Sequence, residues 1–259
     1  MSSTVIAQKR LKFRYLVPLA LIPALIVIWA ARQYAVQLDP YLRTFNLLGT
    51  VIHESGHSYL TLLTGGSVLE FVVRPDGSGY AMIAGGWSFL SLPAGYFATT
   101  LLTAVMFYVN NRTRWGEVIP FLLGLFIVYL TWRHGMPDEN GNNTTIIAGY
   151  ISAVVLIYIG IHPNIPIPRT NRHISLSTPV WMFIVNTVAM YIGLGGILSL
   201  QYLADNAMPG HHNDVVMFTE IYAPWMHPGH MAFIWMALSI AIWTFALFGT
   251  VRLFKKEKK

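Results

Sequence analysis

The run His53-Glu54-Ser55-Gly56-His57 puts two imidazoles and a carboxylate within five residues of an otherwise apolar stretch. On an α-helix, residues four apart share a face, so His53 and His57 can bind one metal ion together. Glu54 lies about 100° round the helix from His53, where it can reach a metal-bound water without ligating the metal. Zinc held in this way lowers the pKa of its water toward about 7 and makes hydroxide available at neutral pH. The carboxylate then accepts the water's proton and delivers it to a leaving amine. This is the chemistry of a zinc peptidase. With 9 His and 6 Glu in 259 residues, roughly 0.007 such matches are expected by chance. A charged side chain at mid-bilayer costs about 2.5–3.5 kcal/mol, so ionisable groups in an apolar helix are read as functional.

The elements that must carry this motif are membrane elements. The chain is 54% hydrophobic and 11% charged, where a soluble domain carries about 25% charged residues. Crossing a hydrocarbon core of about 30 Å takes about 20 apolar residues. The apolar stretches are Tyr15–Ala31, Phe45–Leu63, Phe89–Val109, Val118–Trp132, Thr144–Ile161, Pro179–Leu203 and Met231–Val251. The first is longer than a signal peptide's apolar region and lacks a good cleavage site after Ala31, so it is read as an uncleaved span. The motif lies in the second. The net charge of +6 does not indicate nucleic acid. The basic residues gather at the two ends, at Lys9, Arg10, Lys12 and Arg14 and again from Arg252 to Lys259, as cytoplasmic anchors do. The absence of cysteine excludes a thiol nucleophile, a disulfide framework and a Cys-ligated metal.

Charge also limits the topology. Seven crossings would leave only 6 of the 17 Lys and Arg on the amino-terminal side, against the tendency of basic residues to stay in the cytoplasm. If Phe45–Leu63 enters without crossing, 13 fall on the side of both termini; if Val118–Trp132 is the segment that fails to cross, 12 do. Both arrangements give about six transmembrane helices with both termini cytoplasmic. Between the motif segment and Phe89–Val109, the runs Val68–Val73 and Tyr80–Ile83 flank Pro75-Asp76-Gly77-Ser78-Gly79, which is turn chemistry for a β-hairpin. Thr64-Gly65-Gly66 ends the preceding helix. The expected fold is therefore an all-α polytopic membrane protein. It has about six spans, a motif-bearing membrane helix or re-entrant segment, and a small β-hairpin. Residues 1–259 form one integral membrane domain, with a core at about 45–109 and a second functional region at about 179–251.

Four motifs in order, His53–His57, Thr64–Gly66, Pro75–Gly79 and Ala94–Tyr96, resemble the site-2 protease family of intramembrane zinc metalloproteases. They are most similar to its compact branch, with the pattern H-E-x-G-H, T-G-G, P-D-G-S-G and A-G-Y. The resemblance covers about a quarter of the chain. It implies one zinc per chain, a site inside the bilayer, and cleavage of membrane-protein or peptide substrates in or near a span. The hairpin would guide an extended substrate by strand addition.

The larger family takes its third metal ligand from a Leu-Asp-Gly motif, and no such tripeptide is present here. The resemblance implies Asp214 instead, in His211-His212-Asn213-Asp214, which is similar to the compact branch's Asn/Ser-Asp motif. Asn213 and Asp214 are equally suited to cap a helix there. Asp205 and His212 are alternative ligands, as is Asp76, although the turn accounts for that residue already. The resemblance also implies an asparagine near the scissile carbonyl. Asn186, an amide in an apolar segment, is a candidate for that contact or for joining two helices. His227-Pro228-Gly229-His230 reads as a turn in preference to a second metal site. No soluble domain is apparent, so substrate selection is expected within the membrane core or through a separate protein.

The expected function is thus an intramembrane metalloendopeptidase, with His53, His57 and Asp214 on zinc and Glu54 as general acid/base. Two other readings stand beside it. One is a transporter of metal ions or protons, using the motif helix and the His-rich loop. The other is a silent relative that binds membrane proteins, against which the presence of Glu54 argues. The sequence says nothing of oligomeric state.

Overall fold

The computed structural model describes residue 26 and residues 46–112, 118–161, 164–166, 173–175, 178–208 and 212–256. The apolar stretch Tyr15–Ala31 and the amino-terminal basic cluster lie outside the described residues, apart from residue 26 in helical conformation.

The motif segment is helix α1 (46–63). It stops where the sequence supplies two glycines: Gly65 adopts φ of 84°, and the Gly66 N–H closes back onto the Thr61 carbonyl at 2.8 Å. Strands β1 (Ser67–Val73) and β2 (Gly79–Ala84) follow as an antiparallel hairpin. Val73 lies opposite Gly79 and Phe71 opposite Ala81, with a bulge at Leu69. Asp76 shapes the turn, its carboxylate accepting from the Ser78 N–H (2.9 Å) and hydroxyl (2.7 Å). These two bonds hold its pKa below the usual carboxylate range.

The remaining helices are α2 (Ser88–Arg112), α3 (Val118–His134), α4 (Thr144–Ile161), α5 (Thr178–Asn206), α6 (Asp214–Tyr222) and α7 (Pro228–Lys256). A second, three-residue-strand hairpin, β3 (Asn164–Pro166) with β4 (His173–Ser175), joins α4 to α5. Strands of three residues are too short for an alternating pattern to mark them in the sequence. Among the described residues four stretches are long and apolar enough to cross a membrane: Ser88–Asn111, Thr144–Ile161, Phe183–Asn206 and Pro228–Thr250. Helix α3 is a shorter apolar helix. The outward faces stay apolar, with Leu122 and Trp132 exposed on α3, Ile147 and Val154 on α4, and Phe233 and Phe245 on α7. Contiguous apolar surface of this kind suits lipid and not water.

Three buried clusters hold the helices. The first joins α1 (Val51, Ile52) and β1 (Phe71, Val73) to α3 and α4 through Ile127, Leu130, Ala153 and Leu156. In the second, Phe107 of α2 packs with Met190 of α5 and Trp243 of α7. The third packs Tyr96 of α2, Leu200 of α5, Phe218 of α6 and Trp235 of α7. Helix α1 is central, with the hairpin on one flank and α2 on the other. At the α1–α2 crossing a β-carbon on Gly56 would lie 2.5 Å from the Ala98 β-carbon, so only glycine permits this approach.

A candidate metal centre and a strand edge in one cleft

His53 and His57 project from one face of α1, and their Nε2 atoms lie 3.1 Å apart. Asp214, 161 residues further on from His53, brings its Oδ2 to 3.4 Å from His53 Nε2 and 3.3 Å from His57 Nε2. Zinc–nitrogen bonds of about 2.0–2.1 Å in a tetrahedron require ligand atoms about 3.3 Å apart. The three donors form a triangle of that size, so nitrogen and oxygen atoms present here fit zinc. His57 Nδ1 donates to the Ser91 carbonyl at 2.6 Å. That bond fixes the proton on Nδ1 and leaves the Nε2 lone pair facing the triangle.

The support comes from two further elements. Helix α2 lies directly on the two imidazoles: a β-carbon at Gly95 would collide with His53 Nε2 and His57 Nε2. Next to it, the Tyr96 ring meets His53 edge-on, with centroids 4.5 Å apart. Helix α6 presents Asp214 from its first turn. The cap is Asn213, whose side chain accepts the Val216 N–H at 3.0 Å. Capping therefore falls to Asn213, and the Asp214 carboxylate is left to face the histidines.

Glu54 turns the other way, toward the hairpin. It is buried, and its carboxylate lies against the backbone N–H of Ala81. Gly79 makes this approach possible, since a β-carbon there would sit 2.8 Å from the Thr50 methyl and 3.2 Å from Glu54 Cγ. In the register of the hairpin, the backbone groups of Phe71 and Val73 point away from β2, and those of Gly79 and Ala81 away from β1. The outer edge of β1 is covered: the Phe71 carbonyl accepts from the Met136 N–H (3.1 Å), and the Val73 N–H donates to the Thr145 hydroxyl (3.0 Å). The outer edge of β2 opens instead onto a cleft of about 1360 Å³. His53, Glu54, His57 and Asp214 line this cleft, with Gly195 and Ser199 of α5 across from them.

The alternatives to Asp214 are not brought to the triangle. Asp76 is engaged in its turn. Asp205 is exposed at the end of α5, and His212 is exposed at the cleft. Among the described residues, the group of donors close enough to share a metal is His53, His57 and Asp214. His227 accepts the Gly229 N–H at 3.1 Å, as a turn residue does.

Asn186 is a correction. Its amide is buried between α2 and α5, where the carbonyl accepts from both the Asn110 and Asn111 amides at 2.9 Å and its own NH₂ donates to Asn111 at 3.1 Å. Asn110 is fifteen residues along α2 from Gly95, about 22 Å of helix. Asn186 is not among the residues lining the cleft. An apolar segment gives an amide two outlets, a site or a neighbouring helix, and here packing takes it.

Sequence reasoning passed over Gly79, Gly95, Tyr96 and the Ser91 carbonyl. The first three sit inside motifs it had already singled out, without a physical role. The carbonyl has no signal in a sequence.

Searches of curated proteins and of solved structures find no match to the chain. A comparison with protein families does: residues 19–249, which carry the motif helix, the hairpin and the Asp214 helix, match Peptidase M50B-like, and the chain belongs to that family.

Proposed function

We propose that the protein is an intramembrane zinc metalloendopeptidase of the compact site-2 protease branch. His53, His57 and Asp214 hold one zinc ion and Glu54 is the general acid/base. The observation that carries this reading is the donor triangle, 3.1, 3.4 and 3.3 Å on its sides, which matches a zinc coordination face and draws its third corner from a distant helix. Family membership supports a metallopeptidase in a membrane.

Zinc bound there supplies a Lewis acid that lowers the pKa of water and polarises a carbonyl. Glu54, one residue from His53 and directed toward β2, takes the proton released by the attacking water and returns it to the departing amine. The open edge of β2 offers the Gly79 backbone groups and the Ala81 carbonyl to an extended peptide, which would run along the cleft beside Glu54. A membrane-spanning substrate must unwind to pair in this way. The four long apolar helices belong to one membrane domain of about six crossings with both termini cytoplasmic.

The test is Glu54→Gln in purified protein. The expected result is one zinc per chain, as in wild type, with peptide-bond cleavage abolished; His57→Ala loses both. A Glu54→Gln variant that cleaves at the wild-type rate overturns the assignment. Wild-type protein that cleaves no substrate but moves metal or protons in vesicles replaces the peptidase with the transporter.

A further inference from the structure

Displacement of Asn186 leaves the proposed reaction without a donor for the scissile carbonyl oxygen, and Tyr96 can fill that place. The ring is clamped between His53 at 4.5 Å and Trp235 at 6.0 Å, and only 9% of the residue's surface is exposed. That small exposure is to the catalytic cleft, which Tyr96 lines. The hydroxyl lies within electrostatic range of both Asp214 and Glu54. Among the described residues the hydroxyl has no hydrogen-bond partner. Three other tyrosine hydroxyls are engaged: Tyr191 with Asn46, Tyr222 with Ser88, and Tyr80 with Glu70.

Packing does not explain this hydroxyl. Phenylalanine would fill the same space against His53, Trp235 and Leu200, so the ring's packing does not call for a hydroxyl. A donor without a partner, on a ring packed against His53 in the wall of the cleft, is arranged as an oxyanion-stabilising group is.

We infer that Tyr96 is a catalytic residue, donating a hydrogen bond from its phenol to the scissile carbonyl oxygen as that oxygen gains negative charge. No bond to Tyr96 forms or breaks and its proton stays on the phenol. The role rests on the peptidase reading above.

The test is Tyr96→Phe, which keeps the ring and removes the hydroxyl, read beside wild type and Glu54→Gln. Loss of one oxyanion donor lowers kcat by about 10²–10³-fold. The expected result is a fall of that order in kcat with KM and zinc stoichiometry unchanged. A phosphinic peptide, which mimics the tetrahedral state, should bind Tyr96→Phe about 100-fold more weakly, while an uncleaved substrate peptide binds Glu54→Gln and the Glu54→Gln/Tyr96→Phe double variant equally. Wild-type kcat in Tyr96→Phe overturns the inference and leaves the peptidase reading intact. Weakened zinc binding in Tyr96→Phe with phosphinate affinity unchanged would assign the residue to positioning His53 and overturns it too. Wild-type protein without zinc or cleavage refutes the peptidase reading itself.

Discussion

Replacing Gly95 by alanine should weaken the proposed metal site by moving a helix, without altering His53, His57 or Asp214. The added β-carbon would collide with His53 Nε2 and His57 Nε2 together. Rotation of a single imidazole therefore cannot relieve it. Ordinary contact begins near 3.4 Å, so α2 must withdraw from α1 by roughly 1 Å, or both rings must shift by that much. Zinc sites tolerate about 0.2 Å in ligand distance. The same withdrawal carries the Ser91 carbonyl, on the preceding turn of α2, away from His57 Nδ1. Substitutions at groups that only orient ligands cost about 10–100-fold in metal affinity. A shift that disturbs two ligands and one such orienting bond should reach at least the top of that range, about 100-fold or 2.7 kcal/mol. Competition against a fluorescent zinc chelator measures it, with thermal unfolding in detergent to establish that the variant is folded. Gly49→Ala is the matched control: Gly49 lines the same cleft, but a β-carbon there meets nothing within 4 Å. Zinc affinity should be unchanged in Gly49→Ala. A folded Gly95→Ala protein with wild-type zinc affinity would show that α2 does not rest on the imidazoles, and the argument for the A-G-Y motif would fail.

Three further outcomes follow from the same geometry. Asn213→Ala removes the cap of α6, worth about 1 kcal/mol, and should weaken zinc roughly fivefold, whereas Asp214→Ala should abolish stoichiometric binding; equal effects in a metal titration would refute the division of roles. Asn186→Ala removes the oxygen that accepts from both Asn110 and Asn111 and should cost about 1–3 kcal/mol of stability with kcat and zinc content unchanged. A hundredfold fall in kcat at intact stability would return Asn186 to the reaction. Arg74 hydrogen bonds hold the Glu139 carboxyl down to about 2 from its ordinary 4.5. A depressed carboxylate pKa gives stability that is present above the ordinary value and lost as pH falls through the lowered one. The tether between the hairpin and the loop after α3 should therefore loosen between about pH 4.5 and pH 2. Hydrogen exchange over residues 74–80 should show this in wild type and not in Glu139→Gln.

The parts of this molecule legible in the sequence are those encoded locally. His53 and His57 are four apart, so their shared face follows from helix geometry alone. The hairpin was marked by Pro75 to Gly79, and the helix stop by Gly65 and Gly66, because a positive φ and a tight turn leave few choices of residue. The long apolar helices were bounded within a few residues by composition. Asp214 was harder, since capping and ligation both call for a short polar side chain before an apolar run. Only the fold shows that Asn213 is the residue whose side-chain oxygen accepts the Val216 N–H. Asn186 failed for a related reason: which neighbour a buried amide meets depends on the rotation of α5 against α2, and apolar composition is silent on rotation. The role of Gly95 was illegible because closeness between helices is a property of pairs.

Four ionisable side chains in a membrane-embedded core make the assembly of the site inseparable from the assembly of the fold. His53, Glu54 and His57 share little more than one turn of α1, yet they face two directions: the histidines look toward α2 and α6, and Glu54 toward β2. Two separate approaches are therefore needed to satisfy them, and glycine permits both, Gly95 on one side and Gly79 on the other. Asp214 is held from farther away. Helix α6 spans nine residues, too few to be stable alone, and it is fixed by Phe218 against Trp235 and Phe89 and by Tyr222 against Ser88. Ser88 and Phe89 open the same helix that places Gly95 on the imidazoles and Ser91 on His57. One rigid α2 thus sets the histidines through its backbone and the aspartate through its first-turn side chains. A displacement of α2 would separate the two halves of the triangle together, so metal binding and the packing of α1, α2 and α6 should be lost in a single cooperative step.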